Sequence, residues 1–259
     1  METRTIRNKD EIYSFLSGAP ALQLYPIGDL DDFYWPYTTW YAIYERNEIQ
    51  SIALLYTGIS PSTFLLFHDK DSYYSTQLLK SVKPLLPEKL NVHLSPGLIN
   101  VFGKKNIIED YGQNYRMILM RTPEQISDEN IRKITARDIN EINSLYKIAY
   151  PSNWFDSRMV ETRKYFGYFI KGMLVGIAGI HVYSMQYRIA ALGNIATHPD
   201  YRGRKIAYKL TSYLCNNLKK TVDLIGLNVK SENNAAIKCY NNIGFEIISY
   251  YDECLVQNK

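Results

Sequence analysis

The stretch Ile195-Ala-Thr-His-Pro-Asp-Tyr-Arg-Gly-Arg-Lys-Ile-Ala207 limits the possible folds more than any other part of the chain. It ends an apolar, strand-like run over 189–197 and opens a helix over 206–218. Ile206, Ala207, Leu210, Leu214 and Leu218 share one stripe of that helix. Proline removes a ladder donor and glycine favours a turn, so the strand breaks at His198. Such a turn presents several unpaired backbone N–H groups at a helix N-terminus, where the helix dipole favours an anion. Gly203 lets the backbone approach closely, while Arg202, Arg204 and Lys205 add charge. An ordinary strand-to-helix turn with solvated arginines is the plain alternative.

The neighbouring pattern extends this unit. A short strand over 131–135 leads into an amphipathic helix with Ile139, Ile142, Leu145 and Tyr146 on one face. A second helix is expected near 156–162. Strands over 165–171 and 173–183 meet at Gly172 as a hairpin. After the helix at 206–218 come a strand over 224–229, a helix over 234–242 stopped by Gly244, and a strand over 245–256. The order β-α-α-β-β-β-α-β-α-β predicts an α/β fold with mixed strand directions. The first half repeats the ingredients more weakly. Strands are expected over 40–45, 49–57, 63–68, 90–94 and 115–120, with helices over 72–82 and 96–102.

A second motif is Asn233-Asn-Ala-Ala-Ile-Lys-Cys-Tyr240-Asn-Asn-Ile-Gly244-Phe245. Asn233 can cap the helix, and Ala236 and Tyr240, four apart, share a face as a slot with a polar tip. A core tyrosine with its hydroxyl at the rim reads equally well. Together the two segments resemble the GNAT superfamily of acyl-CoA-dependent N-acyltransferases. Arg202-Gly-Arg-Lys205-Ile-Ala207 matches the family's Arg/Gln-x-x-Gly-x-Gly/Ala loop at both ends. Asn233, Ala236, Tyr240, Gly244 and Phe245 match its second motif in full. Lys205 departs from the pattern, standing where the family usually has glycine. If the position needs φ > 0 the lysine is a burden; otherwise it adds a phosphate contact.

The resemblance covers about 130–256 and implies a mixed, mostly antiparallel sheet flanked by helices, with acetyl-CoA or another acyl-CoA as co-substrate. It implies that Ile195, Ala196 and Thr197 bind the pantetheine arm and acyl carbonyl. Arg202, Gly203, Arg204, Lys205, Ile206 and Ala207 would hold the pyrophosphate, and Asn233 would touch the pantetheine side. An N–H of the strand would stabilise the oxyanion, and Tyr240 would protonate the departing thiolate. The reaction implied is direct acyl transfer to an amine, without metal or covalent intermediate.

The base is not legible. The strand before the loop offers no carboxylate; Asn194 could position a water, and His181, Glu246, Asp252 and Glu253 are candidates each better read as structural. Cys239 beside Tyr240 invites a covalent reading that needs a neighbouring base, and core packing is favoured for it and for Cys215. Cys254 stays unassigned, His198 reads as a turn residue, and no Cys/His spacing suggests a metal.

The 259 residues fit one large domain or two. The polar, proline-containing stretch 123–130 is expected to link a domain over 1–122 to a catalytic domain over 131–259. The first resembles a degenerate copy of the same fold, as in two-domain glycine N-acyltransferase-like proteins, and lacks both motifs. Its expected role is to wall the acceptor site or to mediate homodimerisation. Net charge is +4, and residues 202–220 hold six basic side chains and no acid. That cluster suggests an anionic partner, but the near-neutral first half argues against nucleic acid. Aromatics crowd 33–41 beside Asp29, Asp31 and Asp32, which reads either as a pocket for a cationic amine or as core. Three cysteines, no apolar leader and no run of ~20 apolar residues point to the cytoplasm rather than to secretion or a membrane. A non-catalytic acyl-CoA-binding module is the competing reading.

Overall fold

The computed structural model describes every residue except 69, 70, 152, 154 and 259. In chain order the first elements are β1 (Glu2–Ile6), α1 (Lys9–Leu16), α2 (Leu24–Gly28), β2 (Thr38–Glu45), β3 (Glu48–Tyr56), β4 (Ser62–Leu66), α3 (Tyr73–Val82), β5 (Lys89–Leu94) and β6 (Ile107–Leu119). Then come β7 (Ile131–Lys133), α4 (Ile139–Ala149), β8 (Phe166–Ile170), β9 (Met173–Ser184), β10 (Ile189–Thr197), α5 (Ile206–Leu218), β11 (Leu224–Lys230), α6 (Asn234–Ile243) and β12 (Phe245–Gln257). Two compact units result. One comprises Met1–Arg116, Val229–Glu232 and Ile247–Lys259; the other comprises Met117–Asn228 and Asn233–Glu246. Each is a mixed α/β unit, as the pattern of strands and helices predicts.

In the first unit the strand order is β1-β2-β3-β4-β5-β12-β6. The β4–β5 pair is parallel; β1–β2, β2–β3, β3–β4 and β5–β12 are antiparallel. Phe64, Leu66, Leu78, Leu79, Val82, Val92 and Leu94 form the core between α3 and the sheet. Three elements escape the sequence pattern: β1, α1 and α2. β1 buries only Ile6, so no alternation marks it. α1 is announced by its cap: Asn8 Oδ1 accepts from Asp10 N (3.0 Å) and Glu11 N (3.2 Å). β6 also extends well ahead of the expected 115–120, through polar, solvent-facing residues.

In the second unit the order is β11-β10-β9-β8-β7, with β10–β11 parallel and the other pairs antiparallel. α4 buries Ile142, Leu145 and Tyr146. Thr135 and Asp138 form a reciprocal capping box just ahead of it. α5 lies close on β9: a Cβ on Gly176 would come within 2.6 Å of Ile206 Cγ2. That tight contact fixes where the helix begins, and hence the turn before it. Residues 157–162 form a 3₁₀ segment rather than an α-helix. Among the described residues no helix is long and apolar enough to cross a membrane.

Candidate functional site

The site starts from how β10 leaves its neighbours. Pairing with β11 runs only from Ile189↔Leu224 to Leu192↔Leu227, and β10 then continues to Thr197. On its other side the register to β9 slips from Gly193↔Gly179 to Ala196↔Ile177. Two residues, Asn194 and Ile195, thus stand against one, which is a β-bulge. Asn194 sits there with φ 55°. Residues 193–197 therefore present backbone toward the β11 side without a ladder partner. Three buried side-chain atoms on these strands, Asn194 Oδ1, Thr197 Oγ1 and Asn228 Oδ1, have no hydrogen-bond partner among the described residues. Desolvated polar atoms left unpaired are costly.

The turn that follows is built to stay open. Pro199–Tyr201 forms one 3₁₀ turn, held by His198 Nδ1 accepting from Asp200 N at 3.3 Å. Gly203 has φ 76°, and an added Cβ there would meet nothing within 4 Å; its glycine serves the backbone conformation, not crowding. Lys205 has φ 59° and ψ 18°, and no side chain caps the helix it precedes. The position does require the left-handed region, which is why glycine suits it.

The first N–H groups of α5 are consequently orphaned beside three exposed cations. Arg202 donates to the carbonyls of Thr197 (3.3 Å) and Ala149 (3.4 Å), and Arg204 to that of Asp200 (3.4 Å). None has a carboxylate partner among the described residues. Two other lysines of the basic cluster are engaged elsewhere: Lys209 pairs with Asp128 at 2.8 Å, and Lys219 donates to Thr122 Oγ1 at 2.7 Å. Of the six basic residues over 202–220, only Lys209 is ion-paired among the described residues, and Arg202, Arg204 and Lys205 gather at the turn.

Asn233 caps α6 as expected, its Oδ1 accepting from Ala236 N at 3.1 Å. Tyr240 lies half-buried on that helix, its ring centroid 6.0 Å from that of Phe245. Burial pushes the Cys239 thiol up to about 11, so thiolate is scarce at neutral pH and the covalent reading loses its nucleophile. Cys215 is fully buried within α5, and burial raises its thiol further still. Gly193 has no room for a Cβ because the His181 ring lies against it. Glu246 is exposed. Glu253 belongs to the first unit, where His93 Nε2 lies 3.6 Å away and Asn114 donates at 2.7 Å; Asp252 is also in that unit.

The aromatic stretch at 33–41 divides between core and surface. Tyr34, Trp40 and Tyr41 are buried, whereas Phe33 and Tyr37 are exposed. Burial raises the Asp29 carboxyl well above its ordinary value, and Asp32 is held by Lys9 at 2.6 Å. Trp35, Pro36, Thr38 and Trp40 of this stretch also line a cavity. No group of metal-ligating side chains occurs among the described residues. Sequence reasoning missed Tyr165, whose hydroxyl accepts from Asn194 Nδ2 at 2.9 Å; no spacing signal singles it out.

Residues 131–245 match the model of the acetyltransferase (GNAT) family. Among curated protein sequences, none matches the chain. Solved structures similar along the whole chain include a Drosophila protein (TM-score 0.74, 11% identity, 99% of each chain). A GNAT-family acetyltransferase from Colwellia psychrerythraea is similar over 99% of this chain and 100% of its own (TM-score 0.62, 13% identity). A tandem GNAT protein from the clavulanic acid biosynthesis pathway is similar over 100% and 99% (TM-score 0.59, 11% identity). At such identities the likeness is one of fold, and it extends through both halves of the chain. Sequence motif, family match and fold agree that residues 131–245 form a domain of the acetyltransferase (GNAT) family.

Proposed function

We propose that the chain transfers an acetyl or other acyl group from acyl-CoA to an amine, in a ternary complex and without metal. One observation carries the reading: the unladdered end of β10 leads directly into a helix N-terminus with no side-chain cap, a left-handed N-cap residue, and flanking cations that have no carboxylate partner among the described residues. The residues fit the co-substrate in sequence. The orphaned N–H groups over 203–207, with Arg202, Arg204 and Lys205, would hold the pyrophosphate. Ile195, Ala196 and Thr197 would take the pantetheine amides as an added strand, and Asn233 would border that arm. The amine nitrogen attacks the thioester carbon, the C–S bond breaks, and the departing sulfur takes a proton from the Tyr240 phenol, which is replenished by the proton the amine sheds. A β10 N–H aimed at the acyl oxygen would supply the oxyanion contact, typically worth about 10²–10³ in rate.

Thermal-shift titration with CoA and release of free thiol from acetyl-CoA over a panel of amines test the reading. The double variant R202E/R204E should lose the CoA shift. Y240F should bind CoA as the wild type does while kcat falls. No shift at millimolar CoA refutes the reading. A second reading, a CoA-binding module without catalysis, draws on the state of the candidate carboxylates: Glu246 faces solvent and Glu253 is engaged by His93 and Asn114. It predicts the CoA shift with no thiol release above hydrolysis for any amine.

A further inference from the structure

The bulge at Asn194 is held by a buried hydrogen-bond chain that the transferase reading does not use. Tyr146, on α4, donates its hydroxyl proton to the Asn194 carbonyl at 2.7 Å. Asn194 Nδ2 donates to the Tyr165 oxygen at 2.9 Å, and the Tyr165 hydroxyl donates to the Ile180 carbonyl on β9 at 2.6 Å. Both phenols are almost wholly shielded from solvent, at 2% and 0% exposure, and Asn194 at 3%. Tyr165 reaches this point because Gly179 leaves no Cβ beneath its ring. The chain therefore runs from α4 through the bulge to β9, and it grips the bulge by its carbonyl and its side chain.

A non-glycine residue rarely holds φ near 55° unless its surroundings over-determine it, and such outliers cluster where geometry serves function. Here the left-handed residue takes Ile195 out of register with β9, just where β10 is also unpaired on its β11 side. We propose that Tyr165 and Tyr146 are positioning residues for acyl transfer: by fixing Asn194 in the left-handed conformation they set the aim of the β10 amide that receives the acyl oxygen. Neither touches the reacting atoms. The proposal rests on the transferase reading. Burial pushes both phenols above their ordinary range, so they stay protonated donors throughout the working pH range.

The perturbation is Tyr165→Phe, which strips Asn194 Nδ2 of its oxygen partner and leaves it only the Met159 sulfur at 3.6 Å. Misaiming an oxyanion donor costs rate without touching the phosphate contacts. Y165F should thus lower kcat by about tenfold or more, with KM for acetyl-CoA within about twofold. Asn194→Gly supplies the positive φ without help from either phenol. In the N194G background the same Tyr165→Phe change should cost less than about threefold, a coupling that a purely structural role would not produce.

Rates are read as thiol release from acetyl-CoA with the most active amine of the panel. A smaller fall than tenfold in Y165F, or a fall that stays above threefold in the N194G background, overturns the positioning role while the active wild type leaves the transferase reading standing. A wild type that releases no thiol with any amine takes both down. If Y165F does not fold, Y146F is held to the same thresholds, since it removes only the bond to the Asn194 carbonyl.

Discussion

Replacing Lys205 separates backbone strain from charge at the mouth of the proposed CoA site. Its φ of 59° and ψ of 18° place a side-chain-bearing residue in left-handed space, which costs about 1–2 kcal/mol. Glycine relieves that strain but adds about 0.4–1 kcal/mol of unfolded-chain entropy. K205G should therefore be as stable as the wild type or more so, by up to about 1.6 kcal/mol. Valine keeps the unfavourable φ and adds a branched Cβ, so K205V should lose about 1 kcal/mol or more. At about 2–4 °C per kcal/mol for a chain of this size, the melting temperatures should differ by about 3–6 °C. On the proposed reading, the exposed ammonium adds no more than a surface ion pair, about 0.2–1 kcal/mol. K205G should then bind CoA within about fivefold of wild type, read by isothermal titration. K205V melting with or above K205G would refute the left-handed assignment. A loss in K205G of about fiftyfold or more would show that the lysine, not the turn, carries the affinity.

Asp138 accepts from Arg132 and from Thr135 N–H, and these bonds, Arg132 first, hold its carboxyl at about 2 against the opposing effect of burial. A depressed carboxylate stabilises the fold above its unfolded pKa of about 4 and loses that contribution as pH falls toward 2. D138N should thus be about 1–2 kcal/mol less stable at pH 7 and nearly equal to wild type near pH 2, by urea unfolding; a pH-independent gap refutes the linkage. C239A should keep full turnover, since a thiol raised to about 11 is not a working nucleophile, and loss of turnover with intact CoA binding would restore the covalent reading. Titration should find one CoA per chain, and a second equivalent of similar affinity would contradict the reading of the first unit as lacking a site.

Legibility in the sequence tracked how much each residue type does alone. Helix α5 was plain because Ile206, Leu210, Leu214 and Leu218 recur at a helical period and all four are buried. The helix over 234–243 was plain because its cap and its stop, Asn233 and Gly244, each act within a few residues; Gly244 has φ 119°. β1 and α1 were not, since β1 buries one side chain and is a strand only through its register with β2. The same limit applied inside the candidate site. The basic turn advertises itself by composition, but the bulge at Asn194 is produced by a two-against-one register with β9 and by phenols 29 and 48 positions away in sequence. Nothing local in Gly193-Asn-Ile predicts it. Lys205 was the instructive middle case: the departure from glycine was visible, but only the backbone shows that the position is left-handed.

On the proposed reading, the two halves of the chain differ at one place that bears on CoA binding. Each contains a parallel strand pair joined through a helix, β4–α3–β5 and β10–α5–β11. In the first, pairing runs without interruption from Ser62↔Leu90 to Leu66↔Leu94. It is then extended by Ser95 N donating to the Leu66 carbonyl at 3.1 Å and His68 N donating to Ser95 Oγ at 3.1 Å. These two bonds continue the link between the strands as far as His68. In the second, pairing stops at Leu192↔Leu227 while β10 runs on. On the proposed reading, what converts a crossover into a binding cleft is the loss of a few ladder hydrogen bonds. That loss is tolerable only where a bulge braced from elsewhere fixes the strand that has lost its partner. On this argument the Asn194 brace and the open strand end are one structural device, and the first unit, which has no need of such a brace, shows what the device displaces.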